Sequence, residues 1–250
     1  MAKKGSVLGF SCAAFLLVAI GGNAAAPKSV VCSKKTQAFT GAAYDLRVPA
    51  GGICEVTFAT ITHDLIVEPD ALVFIAKTTI GVDVIASRPQ SIQTGHGAGP
   101  GRPVGHVRVG RDFSISGSPK REAFHGLCDL EVGNDLSITG TRVNFGFTVG
   151  DGDLCARNGY PTATVGRDLL VRNNTAVTDF DCCPSSILIG DNVVGRNLVV
   201  SANTVAAPGV LEVSDNRVTG DAICANNDPE PAPDDPSDGP NVVGGTNTCG

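Results

Sequence analysis

The chain has no tryptophan, two tyrosines, one methionine and four histidines among its 250 residues. Sugar-binding grooves commonly offer aromatic platforms, and acid–base catalysis most often recruits histidine, so both are poorly supplied here. No CxxC spacing occurs, which together with the scarcity of histidine argues against a structural zinc site. Beyond the first 26 residues no stretch nears the roughly 20 apolar residues of a membrane-spanning helix. None repeats its apolar residues at the 3.6 period of a long helix. Cations are in deficit, with 19 Lys and Arg against 25 Asp and Glu and a net charge of −6. Such a chain has no general affinity for nucleic acid or anionic membranes. From these absences no catalytic residue, no cofactor-binding residue and no metal ligand is assigned.

What the chain does contain is a repeat. The stretch Val165-Gly166-Arg167-Asp168-Leu169-Leu170-Val171 returns with its Asp or Asn at Asp45, Asp64, Asp83, Asp112, Asp135, Asn197 and Asp221. With that residue as position zero, position −3 holds Ala42, Ile61, Ile80, Val109, Val132, Val165, Val194 and Val218. Position +1 holds Leu46, Leu65, Val84, Phe113, Leu136, Leu169, Leu198 and Ala222, and +3 holds Val48, Val67, Ala86, Ile115, Ile138, Val171, Val200 and Cys224. Apolar +1 and +3 around a mixed +2 is the period of a half-buried strand. Position −2 is Gly in five copies, Gly81, Gly110, Gly133, Gly166 and Gly195, which fits a bend with an uncommon backbone angle.

Successive zeros lie 19, 19, 29, 23, 33, 29 and 24 residues apart, a period that tolerates insertions as a stacked solenoid does. A second strand, Ile53–Val56, aligns with Leu72–Ile75 and is read again at 129–132, 187–189 and 211–213. The expected fold is all-β, a single-stranded-coil parallel β-helix of about eight rungs with variable loop insertions and disulfides. An antiparallel sandwich also supplies short, regularly spaced strands, but gives no reason for one motif to keep a fixed register through every copy.

Residues 1–26 read as a secretory signal, with Lys3 and Lys4, an apolar run from Val7 to Ile20 and small residues before Pro27. Its removal takes away two lysines and no acid, moving the net charge from −6 to −8. The expected mature chain is secreted, whether extracellular, periplasmic or bound to the cell wall, and not membrane-spanning. It keeps eight cysteines, Cys32, Cys54, Cys128, Cys155, Cys182, Cys183, Cys224 and Cys249, and disulfides are the default in an oxidising compartment. Spacing of about one rung favours Cys32 with Cys54 and Cys224 with Cys249 as end staples; the pairing of the middle four stays open. Residues 27–224 form the expected repeat domain, and 225–250 a Pro- and Asp-rich arm with a half-rung cap.

The Gly- and Pro-rich stretch 95–103 reads as an exposed insertion. Its neighbours His96, Arg102 and His106 make at most a small loop site. A phosphate cradle would need a helix after the glycines, and a strand motif follows instead.

Gly220-Asp221-Ala222-Ile223-Cys224, the Asn- and Pro-rich residues 225–231, Asn241-Val242-Val243-Gly244-Gly245 and Cys249 resemble the C-terminus of secreted bacterial repeat proteins built on G-[ND]-L-x-V motifs. The resemblance implies a right-handed β-helix and carries over no activity. The expected role is a non-enzymatic surface for structure or binding in the envelope or extracellular space. The enzymatic alternative is a polysaccharide lyase or glycoside hydrolase of the β-helix type. An Asp or Asn present at every level, terminal ones included, reads better as an Asx-type turn than as a catalytic carboxylate. Thr60/Thr62, Thr139/Thr141 and Thr162/Thr164 sit at different positions of the repeat, so they build no ice-binding array. Position −1 is mixed (Tyr44, His63, Val82, Arg111, Asn134, Arg167, Arg196, Gly220) and so faces solvent. It lines up Arg111, Arg167 and Arg196 as the candidate anion-binding residues, with an acidic glycan as the candidate partner and no nucleic acid. Oligomeric state is left open.

Overall fold

The computed structural model describes residues 28–33, 37–95, 104–119, 123–150, 155, 162–177, 185–232 and 238–249. Residues 1–26, read above as a signal, and His96, Arg102, Cys182 and Cys183 lie outside the described residues. Every named element among those described is a strand, and the strands pair in parallel at each level of the stack. The fold is a parallel β-helix.

Each full coil has three sides. The motif strand forms the first, a nine-stranded sheet running from Val30–Val31 through Leu46–Val48, Leu65–Val67 and onward to Ala222–Ala225. Its register equates Leu136, Leu169, Leu198 and Ala222, then Ile138, Val171, Val200 and Cys224. The +1 column has no exposed surface, and the +3 column is buried as well. Burying one such side chain is worth about 1.5–3 kcal/mol, and a slip of one residue would turn both columns to solvent. Register is therefore strongly specified here.

The second and third sides belong to one 15-stranded sheet because Ile53–Ile61 runs through both. The third side consists of the residues just before position zero, from Thr78–Ile80 and Val107–Val109 to Val242–Val243. Leu130–Val132 belongs to this side, paired with Val107–Val109 and Ala163–Val165, and is not a copy of Ile53–Val56 as the sequence suggested. The second side continues through Ser91–Thr94, Phe124–Leu127 and Phe147–Val149, which the apolar pattern does not mark, to Ile187–Gly190 and Leu211–Ser214, which lie where the sequence suggested. Rung one is also one residue short: Ala43 pairs with Ile61 and is buried, whereas Ala42 is exposed.

The position −2 glycines do not adopt the expected unusual angle, since none of the five has positive φ. They are required by proximity. A Cβ on Gly110, Gly133, Gly166 or Gly195 would stand 2.0–2.2 Å from the carbonyl oxygen of the glycine one rung below.

Three disulfides link described residues. Cys32–Cys54 and Cys224–Cys249 staple the two ends as the spacing suggested, and Cys128–Cys155 joins two of the four cysteines left unconnected. Their Cα–Cα separations of 6.2, 4.9 and 5.6 Å lie in the ordinary disulfide range. The first and last strands of a solenoid expose unpaired edges. At the C-terminal edge, Thr246 and Thr248 continue the first side by backbone bonds to Ala222.

Candidate functional site

Position zero builds a ladder along one corner of the coil. Its side-chain oxygen does not close a local turn, as an Asx turn would; it accepts the backbone N–H of position zero one rung later. Asp64 N–H bonds Asp45 Oδ1 at 3.2 Å, and the series continues through Asp83, Asp112, Asp135, Asp168, Asn197 and Asp221 at 3.1–3.2 Å. Thr246 N–H closes it on Asp221 Oδ1 at 2.7 Å. Every bend amide from Asp64 to Thr246 is satisfied in this way, which is why the residue recurs at each level.

Stacking carboxylates at about 4.8 Å per rung sets like charges against each other, and position −1 offsets them. This column stacks directly, with Arg196 N–H on the Arg167 carbonyl, Arg167 on Asn134 and Asn134 on Arg111. Arg167 and Arg196 are thus one rung apart and Arg111 two rungs below Arg167, each side chain about half exposed. Each guanidinium reaches down to the carboxylate of the preceding rung. Arg111 holds Asp83 through both Nε and Nη2, and Arg196 holds Asp168 in the same two-pronged way. Arg167 Nε lies 3.7 Å from Asp135, and Arg111 Nε 3.6 Å from Asp112.

These pairs set the ionisation of the ladder. Burial pushes the Asp83 carboxyl up, but the Arg111 bond, the Asp112 N–H and the Arg111 charge outweigh it, and the net direction is down. The Arg196 bond holds Asp168 below the ordinary carboxylate range against the effect of burial. In turn Asp83 and Asp168 raise the pKa of Arg111 and Arg196. An anionic ligand at this line would compete with carboxylates already in place.

At the first two rungs the partner is different. His63 Nδ1 lies 2.9 Å from Asp45 Oδ1 and 3.2 Å from Asp64 Oδ2. Tyr44, directly below in the same column, stacks on the imidazole with ring centroids 4.9 Å apart and planes 7° from parallel. Ser29 Oγ donates to the other Asp45 oxygen at 3.0 Å. Burial raises the Asp45 pKa, and bonds from Asp64 N–H, His63 and Ser29 bring it below the usual value. The sequence places His63 in the mixed position −1 column with the arginines; that its ring meets two carboxylates follows from the ladder geometry.

Two asparagine ladders were also missed. Asn174, Asn203 and Asn227 stand six residues after position zero and stack through Nδ2 to Oδ1 bonds of 2.9–3.0 Å. Asn192, Asn216 and Asn241 do the same five residues before it. Each Nδ2 also donates to a backbone carbonyl on the earlier-rung side, as Asn203 does to Val171. Recurrence of Asn at those two offsets was the available signal.

His125 is the other outlier. It is fully buried on the second side, between Ile92 and Phe147 in the pairing register. Its Nδ1 accepts the Ile92 N–H at 3.2 Å and its Nε2 has no partner. Burial pushes its pKa down to about 4, so the ring is neutral at physiological pH. His106, by contrast, sits at the surface between Asp129 and Glu131, at 2.8 and 3.2 Å.

No protein-family model matches this chain, and searches of the curated proteins and of the solved structures return no match either.

Proposed function

We propose that the protein is a secreted, non-enzymatic β-solenoid that presents a rigid surface for structure or binding in the cell envelope or extracellular space. The observation that carries this reading is the use made of the recurrent polar residues. The position-zero carboxylates, the arginines beside them and both asparagine ladders bond one rung to the next. A carboxylate that accepts a backbone amide and a guanidinium is poorly placed to act as a general acid or base, which needs a free path to the reacting proton. What such bonding supports instead is a stiff rod with fixed inter-rung spacing. An extracellular or envelope glycan is the partner class that fits this role.

The test is a glycan array probed with the oxidised mature protein, run beside an assay for depolymerisation of acidic and neutral polysaccharides. Binding without cleavage is expected. Release of reducing ends or of unsaturated products would replace this reading with the lyase or hydrolase alternative. An Arg111, Arg167 and Arg196 to Ala triple variant assigns the binding: lost retention on an acidic polysaccharide column puts the anion site on that line, and unchanged retention removes it from there.

A further inference from the structure

We propose that Asp45, His63 and Asp64 form a binding site for a first-row divalent cation of the Zn²⁺ type, bridging the first two rungs. The internal repeat supplies the argument. From Asp83 to Asp168 every carboxylate of the position-zero ladder has a guanidinium nitrogen within 4.0 Å. The position −1 residue above Asp64 is Val82, and the one above Asp45 is His63. Two stacked carboxylates therefore share one imidazole where the four carboxylates above them have permanent cations. A divalent ion would supply the missing charge at the same point of the corner.

The geometry suits one. The three donor atoms lie within 4.8 Å of one another. Ligands about 2.1 Å from an ion stand about 3.0 Å apart at a right angle and about 3.4 Å apart in a tetrahedron. The separations from His63 Nδ1, 2.9 and 3.2 Å, fall close to those values. Imidazole with carboxylates is a donor set that suits zinc and its neighbours better than calcium or magnesium.

The donors are held from behind. The Tyr44 ring fixes the imidazole plane, Ser29 holds the second oxygen of Asp45, and Asp83 N–H holds Asp64 Oδ1 and leaves Oδ2 toward the site. Such outer contacts orient ligands. Side-chain exposures of 41% for His63, 26% for Asp45 and 15% for Asp64 leave one side open for water to complete the coordination.

The experiment uses chelator-stripped, fully oxidised mature protein, titrated with Zn²⁺ by calorimetry and followed by thermal unfolding with and without the ion. Co²⁺ substitution reports imidazole ligation through its visible absorption. One ion per chain and a raised melting temperature are expected, because an ion that binds only the folded state stabilises it by mass action. His63→Arg restores the ladder's usual cation. It is expected to keep or raise the metal-free melting temperature while abolishing both the Zn²⁺ shift and the Co²⁺ spectrum. Asp64→Asn and His63→Gln are expected to weaken binding at least tenfold. No binding by the wild type overturns the proposal, and so does binding that survives His63→Arg, which would put the ion elsewhere. If His63→Arg does not fold, the same reading is taken from His63→Gln.

Discussion

The first and second sides of the coil are made by the same chain at the same levels, yet only the first obeys a simple alternation. On the first side Phe113–Ser116, Leu136–Thr139 and Leu169–Arg172 bury their first and third residues and leave the others at least partly open. On the second side Phe147–Val149 and Leu211–Ser214 are buried throughout, and Glu55, Thr148 and Glu212 are enclosed along with the apolar residues. A strand covered on both faces loses its two-residue period, and an inward position there accepts even a histidine. Regular packing on one side supports irregular chemistry on the other.

The comparison breaks most completely with Leu169→Asp. A carboxylate in the first side's inward column, which has no exposed surface, loses about 1.5–3 kcal/mol of burial and adds a desolvation cost of several kcal/mol. Loss of the folded, disulfide-linked species on a non-reducing gel checks it.

Gly166→Ala comes next. Its new Cβ would lie 2.0 Å from the Gly133 carbonyl oxygen, and a backbone neighbour yields less readily than a side chain. A cost of about 1–3 kcal/mol is expected, read as a lower denaturation midpoint. Gly140, whose Cβ would meet nothing but whose φ is +63°, separates the two reasons for glycine: Gly140→Ala acts through backbone strain alone.

The second side sharpens under acid. His125 has its pKa lowered from 6.5 to about 4, so below pH 6.5 the unfolded chain takes up a proton that the folded chain refuses. Stability is therefore full above pH 6.5 and falls as pH drops toward 4, by about 2 kcal/mol at pH 5. Denaturant midpoints at pH 7 and pH 5 measure it, and His125→Leu should remove most of the difference. The depressed carboxyls Asp83 and Asp168 act in a different window. Their contribution is present above the unfolded carboxylate pKa and is lost only as pH falls below it, which leaves the pH 5 measurement to the histidine.

The smallest effects lie on the ladder. Arg196→Ala strips a two-pronged partner from Asp168, whose side chain is 11% exposed, while Arg167→Ala removes a 3.7 Å contact to the more open Asp135. Arg167→Ala should leave the melting temperature nearly unchanged and Arg196→Ala should lower it slightly, with added salt narrowing the gap. Equal melting temperatures would show that the ladder's backbone bonds, not its charges, hold the corner.

The recurring columns around Asp45, Asp64 and their later copies were enough to read the fold, the first side's register and the two end disulfides. Those features rest on local period and on spacing along the chain, which a sequence displays directly. The second side's strands at Ser91–Thr94, Phe124–Leu127 and Phe147–Val149, the proximity behind the position −2 glycines and the Cys128–Cys155 bond were decided by the stack. So was the meeting of His63 with two carboxylates. Each depends on which atoms lie one rung away, and that distance spans 19 to 33 residues of chain, so no local pattern encodes it.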